Sequence, residues 1–340
     1  MQAYVVSNLV VGLLVAGVAL VAWRAWRSRL WREAAAGVAR RRPASLAVVL
    51  LFVGVALLDA VSWIGAPRED EALSLRKPRS LIDRAFPVDW NERSYSRPLA
   101  AVEFYGGRAL RHPGKHLLGT DIIGRDVLHL TLKGARVALL VGGLTTLIVI
   151  PLALLFGVSA GYRGGRWDDF VFFLISTLAA MPSLLLLIAL IAVLGRGPVQ
   201  VCVALGVTGW VGLCRLVRGE TLKLRELDYV RAARALGVSE VRILFRHLLP
   251  NLMHLVVITA VLLFSGLVLS EAVLSWLGIG IDGSWGQMID QARDELSRDP
   301  PIVWNLLSAS LALFALILAV NRVGDAVRDV LDPRTAGDAG

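Results

Sequence analysis

Cys202, Cys214, Asp59, Glu271 and the set His112, His116 and His129 are the side chains whose types and spacing invite a chemical reading. Each fails on spacing or company. Cys202 and Cys214 lie twelve residues apart in one apolar run, and twelve helical residues rise roughly 18 Å, far beyond disulfide reach; they read as small apolar residues. His112 and His116 stand four apart, with Asp121 nearby, a spacing that would line up metal ligands on a helix. Pro113 and Gly114 interrupt that helix, so no metal is expected. Glu271 and Asp59 fall inside apolar runs, where an ionisable group is a candidate for function by default. For Glu271 the expected use is pairing with a partner helix or reaching out to the interface, and for Asp59 a protein-facing position. No Ser-His-Asp or Cys-His grouping falls at membrane depth, and no Gly-rich loop ends in Lys-Ser/Thr. The chain is therefore expected to run no catalysis, to bind no nucleotide itself and to need no cofactor.

What the sequence does contain is a gripping surface. Residues 228 to 250 lie between two apolar runs and are far more than a turn needs. Tyr229, Ala232, Ala233 and Leu236 recur at helical spacing and can form one narrow face, with alanines permitting close approach, while Arg231 and Arg234 point elsewhere. Gly237 can adopt the left-handed conformation that ends a helix. Ser239 can cap a second helix, with Glu240 favourable in its first turn. Val241, Leu244, Phe245 and Leu248 then supply an apolar stripe, and Leu249-Pro250 marks the approach to the next run. The pattern predicts a surface-lying helical hairpin that a second protein holds; an amphipathic helix resting on the membrane is the alternative.

The elements that must position this hairpin are membrane spans. The 340 residues are 56% hydrophobic and 19% charged, and the charges cluster between apolar runs. That is the pattern of an all-α polytopic membrane protein, since a bilayer requires backbone polar groups to be satisfied within each span. Seven spans are expected, near 4–23, 44–65, 136–162, 168–194, 199–217, 252–278 and 303–321, with kinks at Pro151 and Pro182. Met1 to Tyr4 lacks the basic start of a signal peptide, so the first run reads as an uncleaved anchor. With the N-terminus outside, the inner segments hold 19 Lys and Arg against 3 in the short outer ones, which orients the hairpin and the C-terminus toward the cytoplasm. The formal charge of +9 is explained by this bias, and no nucleic acid partner is expected.

The hairpin resembles the cytoplasmic loop of permease subunits in binding-protein-dependent ABC importers, whose pattern is Glu-Ala-Ala, three residues, Gly, nine residues, Ile, one residue, Leu-Pro. Here that falls on Arg231, Ala232, Ala233, Gly237, His247, Leu249 and Pro250, with Arg231 standing where Glu is usual and His247 where Ile is usual. Residues 116 to 128, with Gly119, Thr120, Asp121, Gly124, Arg125 and Asp126, resemble the outer segment of C-subunit dipeptide and oligopeptide permeases. Gly134-Ala135-Arg136-Val137, Phe245 to Asn251, Ser275-Trp276-Leu277-Gly278, Ser284 to Met288, Asn321 to Asp325 and Leu331-Asp332-Pro333-Arg334 follow in the same order. The resemblance implies a type I ABC importer permease fold with about seven helices, a six-helix core plus the extra first span. It also implies a bacterial inner membrane location, a homologous sister permease, two cytoplasmic ATP-binding subunits and an extracytoplasmic solute-binding protein. The expected cargo is peptide, with nickel, glutathione or another small solute as the alternative; a channel or an intramembrane enzyme is remote. Residues 1–43 are expected as anchor and basic linker and 44–65 as the first family span. An outer loop over 66–135, a core over 136–322 with its coupling loop at 218–251, and a tail over 323–340 complete the organisation. Within the outer loop, Thr120 and Asp121 are expected to cap a short interfacial helix carrying Val127, Leu128 and Leu130.

Overall fold

The computed structural model describes residues 29–63, 79–87 and 90–331; the expected span at 4–23 and the end of the tail lie outside them. Two compact units divide the chain, one made of Met1–Leu139 with Ser275–Gly340 and the other of Leu140–Leu274.

In the first unit, α1 (Arg29–Arg41) leads through Arg42 into α2 (Pro43–Ala60), whose Pro43 occupies the first turn, where its missing N–H costs nothing. A two-residue antiparallel ribbon pairs Ser62–Trp63 with Arg79–Ser80 and hands over to the short α3 (Leu81–Ala85). Ser80 and Asp83 close a reciprocal capping box at its start. Asp83 then accepts from His129 Nε2 at 2.9 Å and Lys133 Nζ at 2.6 Å, both on α4 (Val127–Arg163). Burial raises its pKa, yet the hydrogen bonds from His129, Lys133 and the Ser80 backbone outweigh that and hold the carboxyl well below the usual carboxylate range. Asp59 is buried at the end of α2, accepts the Ser80 hydroxyl at 2.7 Å and lies 3.5 Å from Arg136. Charge therefore pins the end of α2 to the start of α4. The unit is completed by α11 (Trp285–Leu296) and α12 (Trp304–Leu331), the latter packing against α1, α2 and α11. Gly134 leaves room for the Trp285 indole, which donates to the Thr131 carbonyl at 2.8 Å and meets Phe52 edge-on.

In the second unit the remainder of α4 runs through Pro151 without ending. The expected fourth span is not straight. α5 (Gly165–Ala180) and α6 (Ser183–Leu194) meet at a bend of 94°. The cause is local: Pro182 disfavours helical backbone at the residue before it, and Met181 is extended with ψ 135°. α7 (Pro198–Leu224) lies close against α4 because Gly157 and Gly161, one turn apart, bring the backbones together at Cys214, Val217, Arg218 and Thr221. Val149, Ala153, Val171, Ile175, Trp210 and Leu213 fill the core around that seam, and Asp168 of α5 takes Arg218 of α7 bidentately, Nη2 to Oδ2 at 2.6 Å. Cys202 and Cys214 are both free and buried. The hairpin follows as α8 (Asp228–Ala235), a short α9 (Glu240–Ile243) and a π turn (Leu244–Leu248), and then α10 (Leu249–Trp276). Among the described residues, five helices are long and apolar enough to cross a membrane, and the bent pair makes six.

Candidate functional site

The hairpin is built outward from Tyr162 at the end of α4. Val230 and Ala233 from α8, Ile243 from α9 and Leu248 from the π turn are buried around that ring. Arg234 lies over its face at 5.0 Å. Arg225, just past α7, donates to the Gly161 carbonyl at 3.0 Å, and Arg163 stands 3.7 Å from Glu240. Tyr229 accepts from Asn251 of α10 at 3.1 Å. These contacts fasten the hairpin to the ends of α4 and α10, and Leu224 at the end of α7 packs on the same buried cluster.

Gly237 ends α8 at φ +72°, with the Gly237 and Val238 amides donating to the carbonyls of Arg234 and Ala233. That is the paired closure a glycine permits after a helix. It leaves Leu236 at the tip 83% exposed, with Tyr229, Ala232 and Gly237 exposed beside it. Arg231 is exposed and donates to Glu226 at 2.7 Å; this bond, with a second from Arg225, lowers the Glu226 pKa. An apolar tip carried on a charged, internally paired ring has the makings of a docking knob.

Three local expectations need correction. Ala233 belongs to the buried side of α8, since the helix turns Val230 and Ala233 inward together. Ser239 sits at the start of α9 but its hydroxyl makes no capping bond. The stripe Val241, Leu244, Phe245 and Leu248 does not face one way: Val241 and Phe245 are 64% and 67% exposed, while Ile243 and Leu248 are buried. Leu249 and Pro250 do mark the approach to the next run, opening α10 directly from the π turn. Tyr162 was invisible as a hairpin residue in the sequence. It lies far upstream, and nothing in the local pattern links it to the hairpin.

The outer motif forms a second, separate arrangement. Gly119 and Gly124 have φ of +77° and +75°, and a Cβ on either would collide with the carbonyl of Ser96 or Glu92. Thr120 accepts from the Ser96 amide at 2.7 Å and donates to the Ser94 carbonyl at 2.9 Å. Asp121 accepts from the Ile123 and Arg125 amides and from Arg125 Nε at 2.8 Å. The helix start is capped by Asp126, which accepts from the Leu128 and His129 amides, not by Thr120 or Asp121; no separate short helix forms, because Val127 is already the first residue of α4. Asp126 also holds His116 Nδ1 at 2.8 Å, and Glu92 lies 3.7 Å from His116 and 3.8 Å from His112. Among the described residues no group of three or more such side chains is placed to hold a metal ion. Thr120, Asp121 and Asp126 are spent on shaping this motif, while His116 Nε2 is buried without a hydrogen bond; Leu117, Ile122 and Ile123 are what the motif exposes. Glu271 is 2% exposed within α10, which removes the interface as its destination.

Beside that motif, Glu295 of α11 accepts from Asn305 Nδ2 at 3.3 Å. Burial first, and the Asp121 charge after it, raise its pKa against the hydrogen bonds of Asn305 and Tyr95 and the nearby Arg298. Burial likewise pushes Tyr95 up to about 12. A carboxyl raised on folding contributes its stability at low pH and loses it as pH rises through the folded value. Thermal unfolding of the purified protein between pH 4.5 and 8 should therefore show a melting temperature that falls by a few degrees toward pH 8. Glu295→Gln should flatten that fall, whereas an unchanged pH profile in the variant would contradict it.

Residues 153–337 match the model of the family described as binding-protein-dependent transport system inner membrane component. The oligopeptide transport system permease protein OppC of Bacillus subtilis is 35% identical over 222 residues, covering 64% of this chain and 72% of that one. The dipeptide transport system permease protein DppC of the same organism is 38% identical over 226 residues, covering 64% and 69%. The glutathione transport system permease protein GsiD of Pectobacterium atrosepticum is 36% identical over 222 residues, covering 64% and 73%.

Proposed function

The chain belongs to the family of binding-protein-dependent transport system inner membrane components, and from that premise we propose that it is a transmembrane permease subunit of an ATP-driven importer for peptides. The observation that carries this reading is the hairpin: Leu236 stands exposed at its tip while its base packs against the ends of membrane helices. A channel has no use for such a part. The ATP-binding subunits hold the exposed residues Tyr229, Ala232, Leu236 and Gly237, with Arg231 at the rim and Leu249 and Pro250 carrying the motion into α10. Ala233 acts from within the hairpin. A homologous sister permease completes the path, an outer solute-binding protein delivers cargo against the segment that exposes Leu117, Ile122 and Ile123, and Gly119 to Asp126 hold that segment in shape. The N-terminus lies outside and the hairpin and C-terminus in the cytoplasm. The division into an anchor with basic linker over 1–43, a first family span, an outer loop, a core and a tail fits this assignment.

Energetically, the ATP-bound partner must favour one permease conformation over the other. Driving a two-state equilibrium from 1:99 to 99:1 takes about 5.5 kcal/mol of differential binding, which a few well-packed apolar anchors at a docking surface can supply. Peptide cargo rests on the named cargo of the similar proteins from Bacillus subtilis, and the similarity to GsiD makes glutathione, itself a small peptide, the second reading. Uptake by vesicles containing the whole assembly separates these. Labelled di- and oligopeptide should accumulate only with ATP inside the vesicle equivalent of the cytoplasm. Accumulation blocked by excess glutathione but not by oligopeptide would favour the second reading, and ATP-independent flux would overturn both.

A further inference from the structure

α1 has two unlike faces. Val38 is buried and Gly37 sits against Val330 of α12, while Arg32, Ala35, Ala36, Ala39 and Arg40 form a continuous exposed face on the other side. Arg32 and Arg40, eight residues apart, stand roughly 12 Å from one another along the axis, and among the described side chains the exposed face between them carries only alanines. Arg41 and Arg42 follow, both exposed, and Pro43 immediately opens the membrane span α2. This end of the unit exposes Arg32, Arg40, Arg41, Arg42, Arg322 and Arg328 against Asp325 and Asp329 among the described side chains, and Asp329 is engaged at 3.6 Å by Arg41. The charge thus lies where the span meets the headgroup layer.

We infer that α1 and Arg42 form a seat for anionic phospholipid headgroups, with Arg32, Arg40 and Arg42 as the phosphate-binding side chains and packing of Val38 and Gly37 on α12 fixing the seat in place. The partner chemistry follows from the site. Guanidinium groups pair with phosphate through parallel hydrogen bonds, clusters of basic residues next to a span attract anionic lipid, and the alanine stripe allows close approach to the acyl boundary. Such a lipid would hold α1 against the bilayer and tie the extra N-terminal segment to α12.

The test uses the full-length protein in detergent, titrated with cardiolipin or with phosphatidylcholine and read by native mass spectrometry. The triple variant Arg32→Gln, Arg40→Gln and Arg42→Gln spares Arg41, which pairs with Asp329, and changes only exposed side chains, so the fold is expected to persist; an unchanged melting temperature in phosphatidylcholine nanodiscs checks this. Each arginine removed should weaken cardiolipin binding about fivefold, roughly hundredfold for three. Phosphatidylcholine binding should not change, and millimolar inorganic phosphate should not compete. The exposed outer pair Arg108→Gln and Arg111→Gln should leave binding intact. Cardiolipin affinity within twofold of the parent in the triple variant, or an equal loss in the outer pair, would overturn the assignment. Neither outcome bears on transport, so the importer reading stands or falls separately.

Discussion

Leu236→Asp is expected to leave the protein folded and inserted in the membrane yet to cut ATP-driven uptake at least roughly thirtyfold. The magnitude is that of losing one well-packed apolar anchor at an interface, about 2 kcal/mol, with the burial of an unpaired charge added to it. The direction follows from exposure. Leu236 is 83% exposed and lies outside the buried cluster around Tyr162, so replacing its side chain costs the hairpin little. Val230→Asp makes the contrast, because Val230 is fully buried against Tyr162; that variant should lose folded protein rather than coupling. Uptake assayed beside melting temperature separates the two. If Leu236→Asp lowers the melting temperature as far as Val230→Asp does, the tip is structural and the docking reading fails.

Gly161→Leu should destabilise the folded state strongly, lowering the melting temperature well beyond the effect of Gly161→Ala. A Cβ at Gly161 would stand 2.8 Å from the Arg218 carbonyl oxygen and 2.8 Å from Thr221 Cβ, and backbone cannot swing aside as a side chain can. Relief requires α4 and α7 to separate, which opens the seam where Gly157 meets Cys214 and Val217 and strips the Arg225 hydrogen bond from the Gly161 carbonyl. Overpacking typically costs about 1–3 kcal/mol and occasionally more, and the net stability of a domain is only about 5–15 kcal/mol. Even Gly161→Ala should lower the melting temperature measurably. Gly143→Ala on the same helix is the control: its Cβ meets nothing within 4 Å, and alanine in place of glycine favours a helix by about 1 kcal/mol. A Gly161→Ala protein as stable as the Gly143→Ala protein would show that the α4–α7 seam is looser than described.

How much of this was readable beforehand depended on the range of the forces involved. The spans were legible because apolar runs of sufficient length leave the backbone one way to satisfy itself, and six of the seven expected runs fall on described helices. Pro182 announced the disturbance, and Met181 before it is extended as that rule requires, but the rule does not give the size of the bend, 94° between α5 and α6. The hairpin was legible in its break at Gly237, a short-range requirement. Its faces were not: the 3.6 period marks Tyr229, Ala232, Ala233 and Leu236 as neighbours without saying which side meets protein, and the answer came from Tyr162. The outer motif shows the same limit. Gly119 and Gly124 owe their necessity to the carbonyls of Ser96 and Glu92, and the helix cap fell to Asp126 because the turn closed by Asp121 delays the helix start.

The central claim is that a cytoplasmic ATP-binding protein holds this chain at the tip of the 228–250 hairpin. A single cysteine at Leu236 tests it directly in native membranes, since Cys202 and Cys214 are buried and should stay silent. A short thiol crosslinker should join that cysteine to an ATP-binding subunit in high yield, with the yield changing when nucleotide is trapped. A Leu236→Cys protein that reacts freely with a hydrophilic maleimide in assembled, transport-active membranes, and captures no ATP-binding subunit, would contradict it.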